Sequence, residues 1–133
     1  LFEYLQKYKN VFIKMDIEGG EFDLLPSIAG DLKKLDFPTL FISFHYHYLT
    51  EHQYYLKVKS TLISKMLIKL ERWTGIELFR RTKSLIILKC FRFLEDYMFI
   101  YTESGQELSH NKLQSDPLLI KKHNLVFTNK EWD

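Results

Sequence analysis

Three charged residues alternate at the end of an apolar run. Lys14, Asp16 and Glu18 stand two apart in Val11-Phe-Ile-Lys-Met-Asp-Ile-Glu-Gly-Gly-Glu-Phe22, and Glu21 follows the pair Gly19-Gly20. On a strand, residues two apart share a face. Three charges buried in the middle of a strand would be costly unless paired. At a strand's C-terminal end they are tolerable, because a crevice opens there and open α/β sheets bind ligands there. Glu21 would start a helix, where a carboxylate suits the positive helix end. The glycines permit a tight turn and let a ligand approach the backbone. The residues alone leave two readings open: a ligand crevice, or a salt-bridge cluster that closes a strand-to-helix turn.

A second group is histidine-rich. His45 and His47 share one face at the end of another apolar run, and His52 follows. A His-x-His pair can hold zinc or iron, and Asp16 on a neighbouring strand could add a carboxylate. The competing reading keeps one hydrogen-bonded or ligand-facing His45, with His47 and His52 in loops, and we expect no bound metal. Cys90 is the one cysteine; it reads as a small buried apolar side chain in a reducing compartment. The chain has no Ser-His-Asp order, Walker loop or Cys-x-x-Cys pair.

These groups need elements to position them. A short helix is expected over Leu1–Tyr8, with Phe2, Leu5 and Tyr8 on one side, ended by Asn10. A strand is expected over Val11–Ile17, where Val11, Ile13, Met15 and Ile17 oppose Phe12, Lys14, Asp16 and Glu18. A helix over Glu21–Leu35 places Phe22, Leu25, Ile28, Ala29, Leu32 and Leu35 on one face. Pro26 suits a new first turn after a break better than a helix interior. After the turn Asp36-Phe37-Pro38, the run Thr39–His45 reads as a strand buried on both faces, as in a parallel sheet. Two strands joined by a helix make a right-handed βαβ unit. Glu51–Trp73 reads as a helix with an apolar stripe of Tyr55, Val58, Leu62, Met66, Leu70 and Trp73, ended by Gly75. Leu78–Leu94 reads as another helix, Met98–Thr102 as a strand, Ser104-Gly105 as a turn and Leu125–Thr128 as a last strand.

The chain has 133 residues, 46% hydrophobic and 16% aromatic, enough apolar material for a core. Ser84–Leu94 is its longest near-apolar run, and Lys89 and Arg92 interrupt it, far short of the roughly 20 residues of a membrane span. The net charge of +2 hides an asymmetry. Leu56–Arg92 carries ten bases against two acids, and the remainder nine bases against fifteen acids. Lys65, Lys69 and Arg72 fall on one helix face, which could meet an anionic membrane or simply water. No nucleic-acid partner is expected.

The segment around Asp16 resembles the signature of the FkbM family of S-adenosylmethionine-dependent methyltransferases, Ile-Lys-x-Asp-x-Glu-Gly-x-Glu at the end of the fourth sheet strand. Leu24-Leu25 and Ser43-Phe44-His45 stand where that family continues. Tyr97–Leu108 resembles its late strand, and Leu125-Val-Phe-Thr-Asn-Lys-Glu-Trp132 its closing strand. The resemblance implies an α/β, Rossmann-like methyltransferase fold, C-terminal half only. Its parallel strands would be followed by an antiparallel terminal pair at one edge, with residues 1–133 forming one partial domain. It implies methylation of a hydroxyl on a sugar or small metabolite, in a cytoplasmic protein. Asp16 and His45 would lie near the acceptor as catalytic candidates. Lys14, Glu18 and Glu21 would line the substrate site or orient the loop.

Three departures shape the expectation. Ser43 stands where many relatives carry Glu. Residues 51–92 exceed a single helix and read as a helical insertion. No Gly-x-Gly cofactor loop occurs, and the chain starts at Leu1 rather than Met. The loop is therefore expected ahead of Leu1, and this chain alone is expected not to bind S-adenosylmethionine. The alternative is a non-catalytic module of the same fold that binds a partner or, through Lys65, Lys69 and Arg72, a membrane surface.

Overall fold

A computed structural model describes residues 2–8, 10–50 and 62–131. Strands β1 (Phe12–Met15) and β2 (Thr39–Ile42) pair in parallel, with Ile13 beside Leu40 and Met15 beside Ile42. Helix α2 (Glu21–Lys34) joins them, after a one-turn helix α1 (Phe2–Leu5). Then follow a 3-10 turn (Tyr46–Thr50), α3 (Leu62–Thr74), α4 (Arg80–Arg92), β3 (Phe99–Thr102), β4 (Glu107–Leu108), α5 (His110–Ser115), a second 3-10 turn (Pro117–Lys121) and β5 (Leu125–Thr128). The described strands form one mixed sheet in the order β1-β2-β5-β3-β4. This is an α/β architecture.

One sheet face carries the core. Met15, Leu40, Ile42, Leu125, Phe127 and Ile100 alternate onto it and meet Phe22, Leu25, Ile28 and Leu32 of α2 and Ile86, Ile87, Cys90 and Phe91 of α4. Burying such side chains is worth about 1.5–3 kcal/mol each. Phe44 packs between the helices, its ring 5.7 Å from Phe22 and 5.9 Å from Phe91.

Pro26 does not start a new helix: α2 runs unbroken through it. Proline cannot donate to the carbonyl four residues back, here that of Phe22. The Cys90 thiol donates to that carbonyl instead, at 3.6 Å. Burial pushes the Cys90 thiol up to about 12, with Asp23 adding and Lys89 opposing. Cys90 is thus a buried partner of the backbone, not a nucleophile.

Other boundaries differ from the periodicity. Both parallel strands are shorter than their apolar runs, because Glu18 turns to φ 51° and the chain after Ser43 winds into the 3-10 turn. In β2 only Leu40 and Ile42 are fully buried, while Thr39 and Phe41 are half-buried. Tyr8 and Met98 are exposed. The terminal pair β3–β5 is antiparallel, but β5 lies inside the sheet rather than at an edge, and β4 takes the edge. The stripe Met66, Leu70 and Trp73 of α3 faces outward with the basic residues, since the helix packs through Glu71. His52, Tyr55, Val58 and the first half of the helix expected from Glu51 lie outside the described residues.

Candidate functional site

The C-terminal ends of β1 and β2 lie side by side, and Ser43 donates its N–H to the Met15 carbonyl at 2.9 Å. Past that point the strands release Asp16 and His45. Phe44 and Tyr46 are both buried, and His45 between them is partly exposed. Glu21, in the first turn of α2, is 0% exposed and organises the site. Its Oε2 accepts from the Gly19 N–H at 2.8 Å, and its Oε1 from the Ile17 N–H at 3.2 Å. Oε1 also faces His45 Nδ1 at 2.7 Å. One carboxylate thus closes the strand-to-helix turn and holds an imidazole from the neighbouring strand.

The other ring nitrogen, Nε2, is 3.4 Å from Asp16 Oδ1, and Asp16 Oδ2 is 3.5 Å from Lys14 Nζ. Burial works to lower the His45 pKa. The Glu21 hydrogen bond and charge outweigh it, with Asp16 and the Ser43 backbone helping, and the net shift is upward from 6.5. A protonated ring donates to both carboxylates. A neutral ring keeps Nδ1–H on Glu21 and turns an Nε2 lone pair toward Asp16. Asp16, with its side chain 44% exposed, has room to swing aside.

A pKa raised on folding gives a stabilisation that is complete below the unfolded value of about 6.5 and is lost as pH rises through the folded value. The difference in unfolding free energy between wild type and His45→Gln is therefore expected to be full below about pH 6.5 and to shrink as pH rises above it. Urea titrations at a series of pH values on either side of about 6.5, with the His45 ring followed by proton NMR, check it. A difference that grew with pH would contradict the charged hydrogen bond.

The structure brings Lys14, Asp16, His45 and Glu21 into one chain of contacts. Glu18 leaves the strand alternation at its positive φ and is exposed. His47 is exposed on the 3-10 turn. Among the described residues no three His, Cys, Asp or Glu side chains gather in a metal-holding group. The glycine pair does not open the backbone to a ligand. A Cβ on Gly19, at φ 98°, would sit 2.6 Å from Tyr48 Cβ, so Gly19 admits Tyr48. The Tyr48 ring in turn lies 6.0 Å from that of His45. Sequence reasoning missed Tyr48; the pairing of an obligatory glycine with an aromatic turn was its only signal.

No protein-family model matches this sequence, no curated protein matches it, and no solved structure matches its fold.

Proposed function

We propose that this chain is the acceptor-side, C-terminal part of an S-adenosylmethionine-dependent methyltransferase that acts on a hydroxyl of a sugar or small metabolite. One observation carries the reading. His45 stands at the parallel strand ends with Nδ1 held by a fully buried carboxylate and Nε2, on a partly exposed ring, facing the exposed Asp16. That is the arrangement a general base needs: one nitrogen fixed by an orienting acid, the other at the substrate. Nε2 takes the proton of an acceptor hydroxyl, and the Glu21 charge stabilises the imidazolium that forms. Asp16 beside Nε2 holds the hydroxyl or the new cation. The base must start neutral, so the rate rises with pH through the raised His45 pKa while the stability from the same group falls.

The residues described here do not fit the cofactor. Both oxygens of Glu21 are taken and the side chain is inaccessible to ribose hydroxyls. Tyr48 fills the space at Gly19 where a ligand would approach the backbone. In this reading the cofactor is held by residues outside the present sequence. Calorimetry on this chain should show no S-adenosylmethionine binding. Binding tighter than roughly 100 µM, about −5.5 kcal/mol, would overturn the division of labour. In a longer protein that does bind the cofactor, His45→Ala should lower methyl transfer about 10²–10⁴-fold; an unchanged rate would remove the base assignment.

A second reading rests on α3. Met66, Leu70 and Trp73 are exposed, Trp73 by 87%, beside the exposed Lys65, Lys69 and Arg72. An apolar stripe with an aromatic end and a basic flank suits the interface of an anionic bilayer. No helix among the described residues is long and apolar enough to cross a membrane. The chain should then cosediment with phosphatidylserine vesicles, and less so as salt rises. Equal binding to phosphatidylcholine vesicles would sink the electrostatic part.

A further inference from the structure

A cavity of about 570 Å³ opens between the 3-10 turn after β2, the end of α3, the start of α4 and the second 3-10 turn. Its two carboxylates are already matched: Glu71 pairs with Lys83, and Glu77 with Lys121. Arg80 adds a second cation 3.8 Å from Glu77. Arg72 and His47 stand on the same wall besides, and both are exposed. Lys121 keeps 31% of its side chain exposed. Among the described residues the wall therefore carries more positive than negative charge. Its border is apolar. Trp73 and Ile76, next in sequence to the wall residues Arg72 and Gly75, are 87% and 61% exposed, and Leu78 is 45% exposed. Met66 and Leu70 continue that border back along α3. A basic cavity and an exposed apolar strip thus meet at one corner of the fold.

Few ligands satisfy both features. A cation is repelled by the wall. A small soluble anion suits the wall but leaves the apolar border in water. A phospholipid carries an anionic phosphate at one end and apolar chains at the other. An arginine has five N–H donors in a fork that fits phosphate oxygens, so Arg72 can meet a phosphate alongside any other contact it makes. The His47 ring and the Lys121 ammonium supply further donors. The carbonyls at the end of α3, which would repel an anion, are partly taken up: Thr74 Oγ1 donates to that of Leu70 at 2.7 Å and the Gly75 N–H to that of Glu71 at 2.9 Å. The volume lies within the roughly 300–1,000 Å³ of small-molecule sites. We propose that this cavity seats the phosphate of an anionic phospholipid between Arg72, His47 and Lys121, with Trp73 and Ile76 against its acyl chains. The proposal rests on the reading of α3 as a membrane-facing helix and adds a headgroup site to it.

Dihexanoyl phosphatidic acid, kept below its micelle concentration, tests the site without a membrane surface. Calorimetry on the whole chain should show it binding one to one. Lys121→Gln should weaken that binding about tenfold or more, because a charged hydrogen bond is lost. Lys122→Gln removes the same charge from an exposed neighbour that is not on the cavity wall. It should change the affinity by no more than about twofold, since water and salt screen such a charge. Glycerol 3-phosphate, which has the phosphate but no chains, should bind at least about tenfold more weakly than the lipid. Trp73→Ala should remove most of that advantage. No binding of the short-chain lipid, equal effects of the two lysine variants, or glycerol 3-phosphate bound as tightly as the lipid would each overturn the proposal; the last would mean a site for soluble phosphates. Cosedimentation with phosphatidylserine vesicles separates the two readings. A chain that still cosediments loses only the headgroup site, and one that does not loses the membrane-facing helix as well.

Discussion

Glu21→Ala is expected to destabilise the protein by about 2–5 kcal/mol. The carboxylate accepts from the buried Gly19 N–H, from the Ile17 N–H and from His45. A methyl group replaces none of these, and no water reaches a side chain that is wholly buried. Glu21→Gln grades the effect. It keeps one acceptor for Gly19 and can donate to His45 Nδ1 only if the ring moves its proton to Nε2. We expect a cost of about 1–2 kcal/mol and a base held in the wrong tautomer. Asp16→Ala, at an exposed ion pair, should cost less than about 1 kcal/mol. Urea midpoints at constant slope separate the three. If Glu21→Ala falls within about 0.5 kcal/mol of wild type, the carboxylate does not hold the turn.

Lys83→Met should cost about 3–5 kcal/mol, because it strands the Glu71 charge in a buried site. The pair is nearly inaccessible, with side-chain exposures of 4% and 8%. Replacing both partners, Glu71→Met with Lys83→Met, should restore most of that loss, since two apolar side chains of similar length need no partner there. The double-mutant cycle then gives a large coupling energy. A double variant as unstable as the sum of the single ones would mean that the two groups do not compensate each other.

The elements around Asp16 were legible because their apolar residues repeat cleanly. Period two in residues 11–17 and period three to four in residues 21–35 placed β1 and α2 to within a few residues, and the glycine pair marked the turn between them. The four-residue β5 coincides with its apolar run. The two-residue β4 was illegible, since it exists only through pairing with Ile100 and Tyr101. Pro26 misled because its compensation comes from Cys90, 68 positions from the Phe22 carbonyl it caps. In α3 the regular stripe pointed to burial, yet the helix rests on Glu71, whose burial depends on meeting Lys83 from another helix. The site was legible as a cluster of charged residues at a strand end. Its inner order was not. That Glu21 rather than Glu18 would grip His45 follows from the positive φ of Glu18 and the space Tyr48 takes at Gly19, both products of the tertiary fold.

β5 has a consequence for how the protein is made. It comes last of the five strands along the chain, yet it lies between β2 and β3 and pairs with both. Thr39 and Thr128, 89 positions apart, join hydroxyl to hydroxyl across it. A ribosome delivers the chain from its N-terminal end, so β2 and β3 emerge with their facing edges unpaired. The sheet closes only when residues 125–128 are free of the exit tunnel. Closure of so distant a pairing is slow, and the waiting intermediate presents two open edges to its neighbours. A nascent chain stalled before β5, or a message cut short there, should therefore aggregate or engage chaperones rather than fold.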